Sequence, residues 1–187
     1  MLDGEKTIIA RAIKGEASAF GLLYDHYQAQ IYRFVFMKVG HREEAEDLTH
    51  QVFLHAWQNI FSYKDYGFPF SSWLYRMARN QVIDSYRTRR EHYRLDEMEE
   101  NYDLVSQEIE KIAILNFELE EIREAILKLK PEYQDVIIMR FIEDLAPKEV
   151  ALAIGKSEGA VKLIQHRAIK KLKDSLAANH ETHFRTT

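Results

Sequence analysis

Three features of this sequence predict an all-α fold of two small helical domains joined by an acidic linker. Apolar residues recur at three- and four-residue intervals and nowhere alternate convincingly at period two, so helices are expected and strands are not. All three prolines, Pro69, Pro131 and Pro147, stand where a helix would begin, the position that tolerates a missing N–H, while Gly40 and Gly155 stand where helices would stop. Charge divides the chain as well. Residues 1–90 carry 12 Lys+Arg against 10 Asp+Glu and residues 125–187 carry 11 against 8, whereas 91–124 carry 3 against 12. The net charge of −4 therefore reflects one acidic strap between two mildly basic ends.

The chain of 187 residues is long enough to bury a real core, and its 46% hydrophobic and 30% charged residues are those of a soluble globular protein. It has no cysteine, which excludes disulfides, thiolate metal sites and thiol redox sensing within the chain. No window reaches an uninterrupted apolar span of membrane length, and MLDGEKTIIARAIKGE is too charged for a signal peptide. A cytoplasmic protein without membrane insertion is expected.

A short first helix is expected over about Glu5 to Lys14. From Glu16 to Val39, Phe20, Leu23, Tyr27, Ile31, Phe34 and Val35 follow helical spacing. In Arg42 to Asn59, Ala45, Leu48, Val52 and Ala56 form one core stripe. Phe53, Leu54 and Trp57 lie off it, towards Asp47, Gln51 and Gln58. Such a second apolar strip either packs on two sides or docks a partner.

Asn59 to Pro69, NIFSYKDYGFP, reads as a loop crowded with Phe61, Tyr63, Tyr66 and Phe68. It is either folded down as a lid on the core or offers a stacking pocket for flipped bases. It leads into Phe70 to Arg90, FSSWLYRMARNQVIDSYRTRR, which read as a helix has two unlike faces. Phe70, Trp73, Leu74, Met77 and Ala78 form an apolar stripe. Arg76, Arg79, Arg87 and Arg90 collect within roughly 80° on another side, with Ile83 and Tyr86 among them. Arginines with an interleaved aromatic suit a phosphate backbone and unpaired bases. The plain alternative is a solvated amphipathic helix whose arginines pair with acids elsewhere.

Residues 91–116 lack a clean apolar stripe until Ile109, Ile112 and Leu115, and read as a mobile acidic linker with a partly helical end. Phe117 to Lys130 and Pro131 to Ile142 read as two helices. Leu145 to Leu176 then has the length pattern of a helix-turn-helix. Its short first helix turns Val150, Ala151 and Ile154 inward and ends at Gly155. Ser157 is placed to N-cap the longer second helix, with Glu158 at its positive dipole end. Val161, Ile164, Ala168 and Leu172 face the core, leaving Lys162, Leu163, His166, Arg167 and Lys170 outward. In a helix-turn-helix the second helix enters the major groove, where Arg167 could fork onto a guanine edge and Lys162 and Lys170 suit phosphates. The domains expected are 1–90, the linker 91–116, 117–176, and a tail 177–187.

An enzyme is the rival class. Asp47 and His50 lie three apart with Glu43 and Glu46 nearby, yet a carboxylate-bridged site in a helical bundle needs a second Glu-x-x-His, and none exists. No Ser-His-Asp set or phosphate-binding glycine loop stands out. No cofactor, no metal and no catalytic residue are expected.

FGLLYDHY, EEAEDLTHQVFLHAW, FSSWLYRMARNQVIDSYR and the helix-turn-helix with GAVKLIQHRAIKKL, in this order and spacing, resemble an ECF (extracytoplasmic function) sigma factor. The resemblance covers about residues 16–90 and 117–176. It implies a first domain, region 2, that docks on core RNA polymerase and melts the −10 promoter element. It implies a last domain, region 4, that reads the −35 element. Carried over by position, Asp47, Gln51, Leu54 and Gln58 would meet the polymerase. Phe61, Tyr63, Lys64, Tyr66, Arg76, Arg79, Asn80 and Arg87 would meet the opened −10 strand. Ser157, Lys162, Leu163, His166, Arg167 and Lys170 would meet −35 DNA. An anti-sigma partner is implied too. The chain departs from the family at Ala146, where a Ser or Thr cap is frequent, at about 1 kcal/mol of helix stability. Ala160 replaces a frequent Thr, removing a phosphate hydrogen bond. The alternative is a polymerase-independent dimeric helix-turn-helix regulator, but a dimerisation bundle has no use for an arginine face beside an aromatic loop.

Overall fold

The computed structural model describes residues 2–65, 67–93 and 122–183, with side chains defined over 2–65, 67–89 and 122–176. Among them every regular element is helical, and no strand occurs. The N-terminal domain comprises α1 (Glu5–Ile13), α2 (Ala17–Val39), α3 (Arg42–Asn59), a 3₁₀ turn (Ile60–Ser62) and α4 (Phe70–Tyr93). Helices α2, α3 and α4 pack on one another, and α1 lies across α2. Their core holds Leu23, Ile31, Phe34, Val35, Val52, Phe53, Phe70, Leu74 and Val82, and each such apolar side chain contributes about 1.5–3 kcal/mol on burial. Tyr27 donates its hydroxyl to the Glu5 carboxylate, fixing α1 against α2 inside the bundle.

Helix ends follow the punctuation read from the sequence. Gly40 closes α2 in the left-handed region, φ 79°, with its N–H on Phe36 O. Pro131 and Pro147 each occupy the first turn of their helices, and Pro69 immediately precedes α4. The acidic linker, expected over 91–116, lies outside the described residues apart from 91–93, which continue α4.

The C-terminal domain comprises α5 (residues 122–127), α6 (Pro131–Ile137), α7 (Pro147–Ile154) and α8 (Glu158–His183). Ile126, Val136, Ile138, Met139, Val150, Ile154, Val161, Ile164 and Ala168 fill its core. Helix α6 widens into a π turn over Ile138–Ile142, where the Glu143 N–H reaches Ile138 O at 3.0 Å. The chain then reverses through Asp144, a non-glycine residue at φ 52°. Helix α8 runs past Leu176 to His183, so part of the stretch expected as a tail is helical.

The two domains are docked. Helix α7 lies along α4, and the π turn meets α2. The seam is polar at its centre. Asp135, 1% exposed, accepts Lys38 Nζ on one oxygen at 2.5 Å and Arg79 Nε on the other at 2.8 Å; Lys38, 2% exposed, also reaches Pro131 O. Glu143 forms the second anchor, taking Arg33 through both its oxygens (3.1 and 2.8 Å) and the Tyr75 hydroxyl at 3.0 Å.

Candidate nucleic-acid and polymerase interfaces

On α3, Ala45, Leu48, Val52 and Ala56 are buried as their spacing requires. Asp47, Gln51, Leu54 and Gln58 recur at i, i+4, i+7 and i+11, and all four are exposed in one row. Leu54 is 49% exposed within that polar row. Of the second apolar strip, Phe53 takes the first of the two alternatives and packs inward. It is buried edge-on against Tyr24 at 4.8 Å because α2 covers that flank of α3. Trp57 likewise packs on Phe20.

The aromatic loop divides. Phe61 stands out at 70% exposure, and Lys64 is exposed beside it. Tyr63 is half-buried, edge-on to both Phe70 and Trp73, and burial pushes its hydroxyl up to about 12. Tyr66 lies outside the described residues. The loop is therefore part lid and part exposed surface. Behind it, between the loop, α4 and Leu152 of α7, opens a cavity of about 310 Å³ bounded by Tyr63, Lys64, Phe68, Trp73, Arg76 and Ser72. Ser72 Oγ is buried there without a hydrogen-bond partner among the described residues. An aromatic wall and a cationic rim suit a flat, polar-edged guest such as a base.

The arginine face of α4 is narrower than its helical wheel. Arg76, Asn80, Ile83 and Arg87 are exposed along one line. Arg79 is not free with them. It is three-quarters covered and bound to Asp135, because the C-terminal domain docks on the edge of the predicted sector. Tyr86, on the same edge, donates its hydroxyl to Lys38 O. Arg90 lies outside the residues whose side chains are defined.

In the C-terminal domain Gly155 ends α7 at φ 70°, and the Lys156 N–H reaches back to Ala151 O at 2.8 Å. Ser157 Oγ accepts the Ala160 N–H at 3.2 Å, the N-cap expected from the sequence. Val161, Ile164 and Ala168 are buried with Leu172 half-buried, so Lys162, Leu163, His166, Arg167 and Lys170 are all exposed on the outer side of α8. The Lys162 ammonium, hydrogen-bonded to Glu158 at 2.7 Å, holds that carboxyl below its ordinary range at the positive end of the helix. At Ala146 only half a capping box forms. Glu149 accepts the Ala146 N–H at 2.6 Å, but the alanine side chain has no oxygen to offer in return, and the Glu149 N–H meets only the Ala146 carbonyl at 2.9 Å.

These features map onto two family models, Sigma-70 region 2 over residues 23–92 and Sigma-70, region 4 over residues 119–172. The ECF RNA polymerase sigma factor SigW of Bacillus subtilis is 33% identical over 180 residues, spanning 91% of this chain and 96% of its own length. The chain belongs to the ECF RNA polymerase sigma factors. Its sequence is also 36% identical to the ECF RNA polymerase sigma factor BldN of Streptomyces coelicolor, covering 88% of this chain and 63% of that protein. The fold matches the sigma factor RpoE of Bartonella quintana, solved with the anti-sigma factor NepR, at TM-score 0.69 and 18% identity over 84% and 96% of the two chains. Sigma factors are transcription initiation factors and as a rule not enzymes. The rival reading of this sigma factor as an independent dimeric regulator gains no support from these relatives. Among the described residues no group of three His, Asp or Glu side chains could hold a metal ion, and no helix is long and apolar enough to cross a membrane.

Sequence reasoning missed the seam between the domains. Its signal was present: Lys38 falls seven residues after Ile31, on the buried stripe of α2, within the apolar run FVFMKV. A lysine on a core stripe needs a buried acid, and Asp135 supplies it.

Proposed function

We propose that this sigma factor binds core RNA polymerase through the α3 row Asp47, Gln51, Leu54 and Gln58, and positions the enzyme at promoters through two separate DNA surfaces. The outer side of α8 reads duplex −35 DNA. Arg167 takes a base edge, Lys162 and Lys170 take phosphates, and Ser157, Leu163 and His166 complete the surface. Phe61, Tyr63, Lys64 and Tyr66 of the loop, with Arg76, Asn80, Arg87 and, once released, Arg79, hold the opened −10 strand. The observation that carries the reading is the aromatic-walled cavity behind the loop, beside the exposed line Arg76–Asn80–Arg87. A surface of this kind serves single-stranded DNA better than an intact duplex. Function of this kind places the chain in the cytoplasm, with an anti-sigma partner as its regulator, as the RpoE–NepR complex illustrates for a chain of the same fold.

Each basic surface is short, fewer than about ten phosphate contacts together, so the free chain should bind promoter duplex weakly. Gel shifts at about 150 mM salt, with and without core polymerase, test this. Tight, sequence-selective binding should appear only with the core enzyme. Nanomolar selective binding by the chain alone would overturn the proposal in favour of an independent regulator.

A further inference from the structure

Helix α1 precedes the residues matched by the region 2 model, yet it is tied to the aromatic loop that follows α3. Its first turn buries Glu5, 8% exposed, whose carboxylate accepts the hydroxyl of Tyr27, 4% exposed. A buried carboxylate is tolerated only where donors meet it, so the Tyr27 hydroxyl is held to this place. The ring of Tyr27 then lies against Phe70 at the start of α4, 5.8 Å between centroids. Phe70 is 1% exposed and packs on Tyr63 at 5.2 Å and on Trp73 at 5.3 Å. Tyr63 and Trp73 meet each other edge-on, and both line the cavity of about 310 Å³. One path of contacts thus runs from Glu5 to the wall of that cavity.

Helix α1 meets the loop a second time. It packs on the 3₁₀ turn Ile60–Ser62, and a further cavity of about 530 Å³ opens between its first turn and the loop. Leu2, Gly4 and Ile9 stand on one side of that space, with Tyr63 and Phe68 on the other. Tyr63 therefore borders both cavities. A ring with space on either side has few atoms to hold it there, so its place is set by the rings it stands on. Lys6 also reaches Asp65 at 3.6 Å, but with 87% of its side chain exposed this pair adds little.

We propose that Glu5 and Tyr27 are positioning residues for promoter opening, setting through Phe70 where Tyr63 and Trp73 stand to receive a base. The proposal rests on the −10 assignment made above. Both residues are buried, and neither lines the cavity assigned to the base. Their effect passes through the rings. It belongs to opening and not to −35 recognition, since α8 lies in the other domain.

With Trp57→Phe, Trp73 becomes the single tryptophan of the full chain and reports on its own surroundings. On that background Tyr27→Phe keeps the ring and removes the hydroxyl, Glu5→Ala removes the acceptor, and Glu5→Gln keeps one. The first two should raise acrylamide quenching of Trp73 about twofold. They should also lower open-complex formation with core polymerase about fivefold. That step is read as permanganate reactivity on a promoter selected from a library with the parent holoenzyme. Holoenzyme binding to duplex −35 DNA should stay within about twofold of the parent. Glu5→Gln should follow the parent in all three measurements.

Unchanged quenching in folded Tyr27→Phe overturns the path through the rings, and raised quenching with normal melting overturns the role in opening. A loss of −35 binding in step with melting reduces the pair to structural support and also overturns the proposal. Glu5→Gln behaving as Glu5→Ala overturns the link from acceptor to hydroxyl. Arg76→Ala in the same melting assay tests the premise separately. Normal melting there means that the −10 assignment has failed; if only Arg76→Ala melts poorly, the positioning alone has failed. Should circular dichroism show Glu5→Ala misfolded, Tyr27→Phe, which lacks a single oxygen, carries the test.

Discussion

The Tyr75 hydroxyl donates to Glu143 Oε2 at 3.0 Å across the seam between the domains. Burial, and then the Glu143 charge, push this hydroxyl well above the ordinary tyrosine range; Tyr27 moves the same way beside Glu5, and Tyr63 rises to about 12. In the unfolded chain these groups ionise near 10, so the folded state holds their protons longer. The stability they contribute is whole below pH 10 and is lost as pH rises from there through the folded values. Burial lowers Lys38 instead, so its contribution rises with pH up to about 10.5. Urea unfolding at about pH 9 and about pH 11 should show lower stability at the higher pH. Tyr75→Phe should lose part of that decline.

Arg76 and Arg79 are one helical turn apart but have different surroundings, and their alanine variants should part accordingly. Arg76→Ala removes an exposed cation at the rim of the cavity and should lower open-complex formation with core polymerase, read as permanganate reactivity of the melted strand. Arg79→Ala also removes a partner of Asp135, so it should loosen the docked domains of the free chain as well. Unchanged melting by folded Arg76→Ala would contradict the assignment.

Ala146→Ser should stabilise the protein. A serine hydroxyl at this N-cap can accept the Glu149 N–H and complete the capping box, worth about 1 kcal/mol. Ser157→Ala should destabilise by a similar amount, since Ser157 Oγ already accepts the Ala160 N–H. Chemical denaturation at neutral pH measures both, and a change of the same sign in the two would refute the capping argument.

On α8 the two cations should separate by their effect on selectivity. Arg167→Ala should cost about 1–3 kcal/mol and relax preference at one −35 position. Lys170→Ala should weaken all sequences alike and flatten the salt dependence. Binding of the holoenzyme to a −35 library at several salt concentrations distinguishes them.

The helices were legible in the sequence because their ends are written locally, in Pro131, Pro147, Gly40, Gly155 and Ser157, and their inner faces in the spacing of residues such as Leu23, Ile31, Val52 and Leu74. The outer row of α8 was legible for the same reason, as the complement of Val161, Ile164 and Ala168. The places of Arg79, Tyr86 and Phe53 could not be settled in the sequence because a helical wheel knows only its own helix. Each lies at the border of a stripe, and the neighbour that docks there decides its fate: Asp135 from α6, the end of α2, and Tyr24. The π turn left no mark in the sequence pattern that was read. It carries Glu143 and so the second anchor of the seam.

Gly40 carries a consequence for how this chain tolerates change. Its φ of 79° already disfavours any side chain, and a Cβ there would stand 2.7 Å from Arg123 Nη1, a side chain of the C-terminal domain. A saturation library at position 40 would therefore be filtered by the turn that ends α2, leaving Asn and Asp as the side chains best able to follow glycine into the left-handed region. The Arg123 guanidinium, the far end of a flexible side chain, can shift to make room.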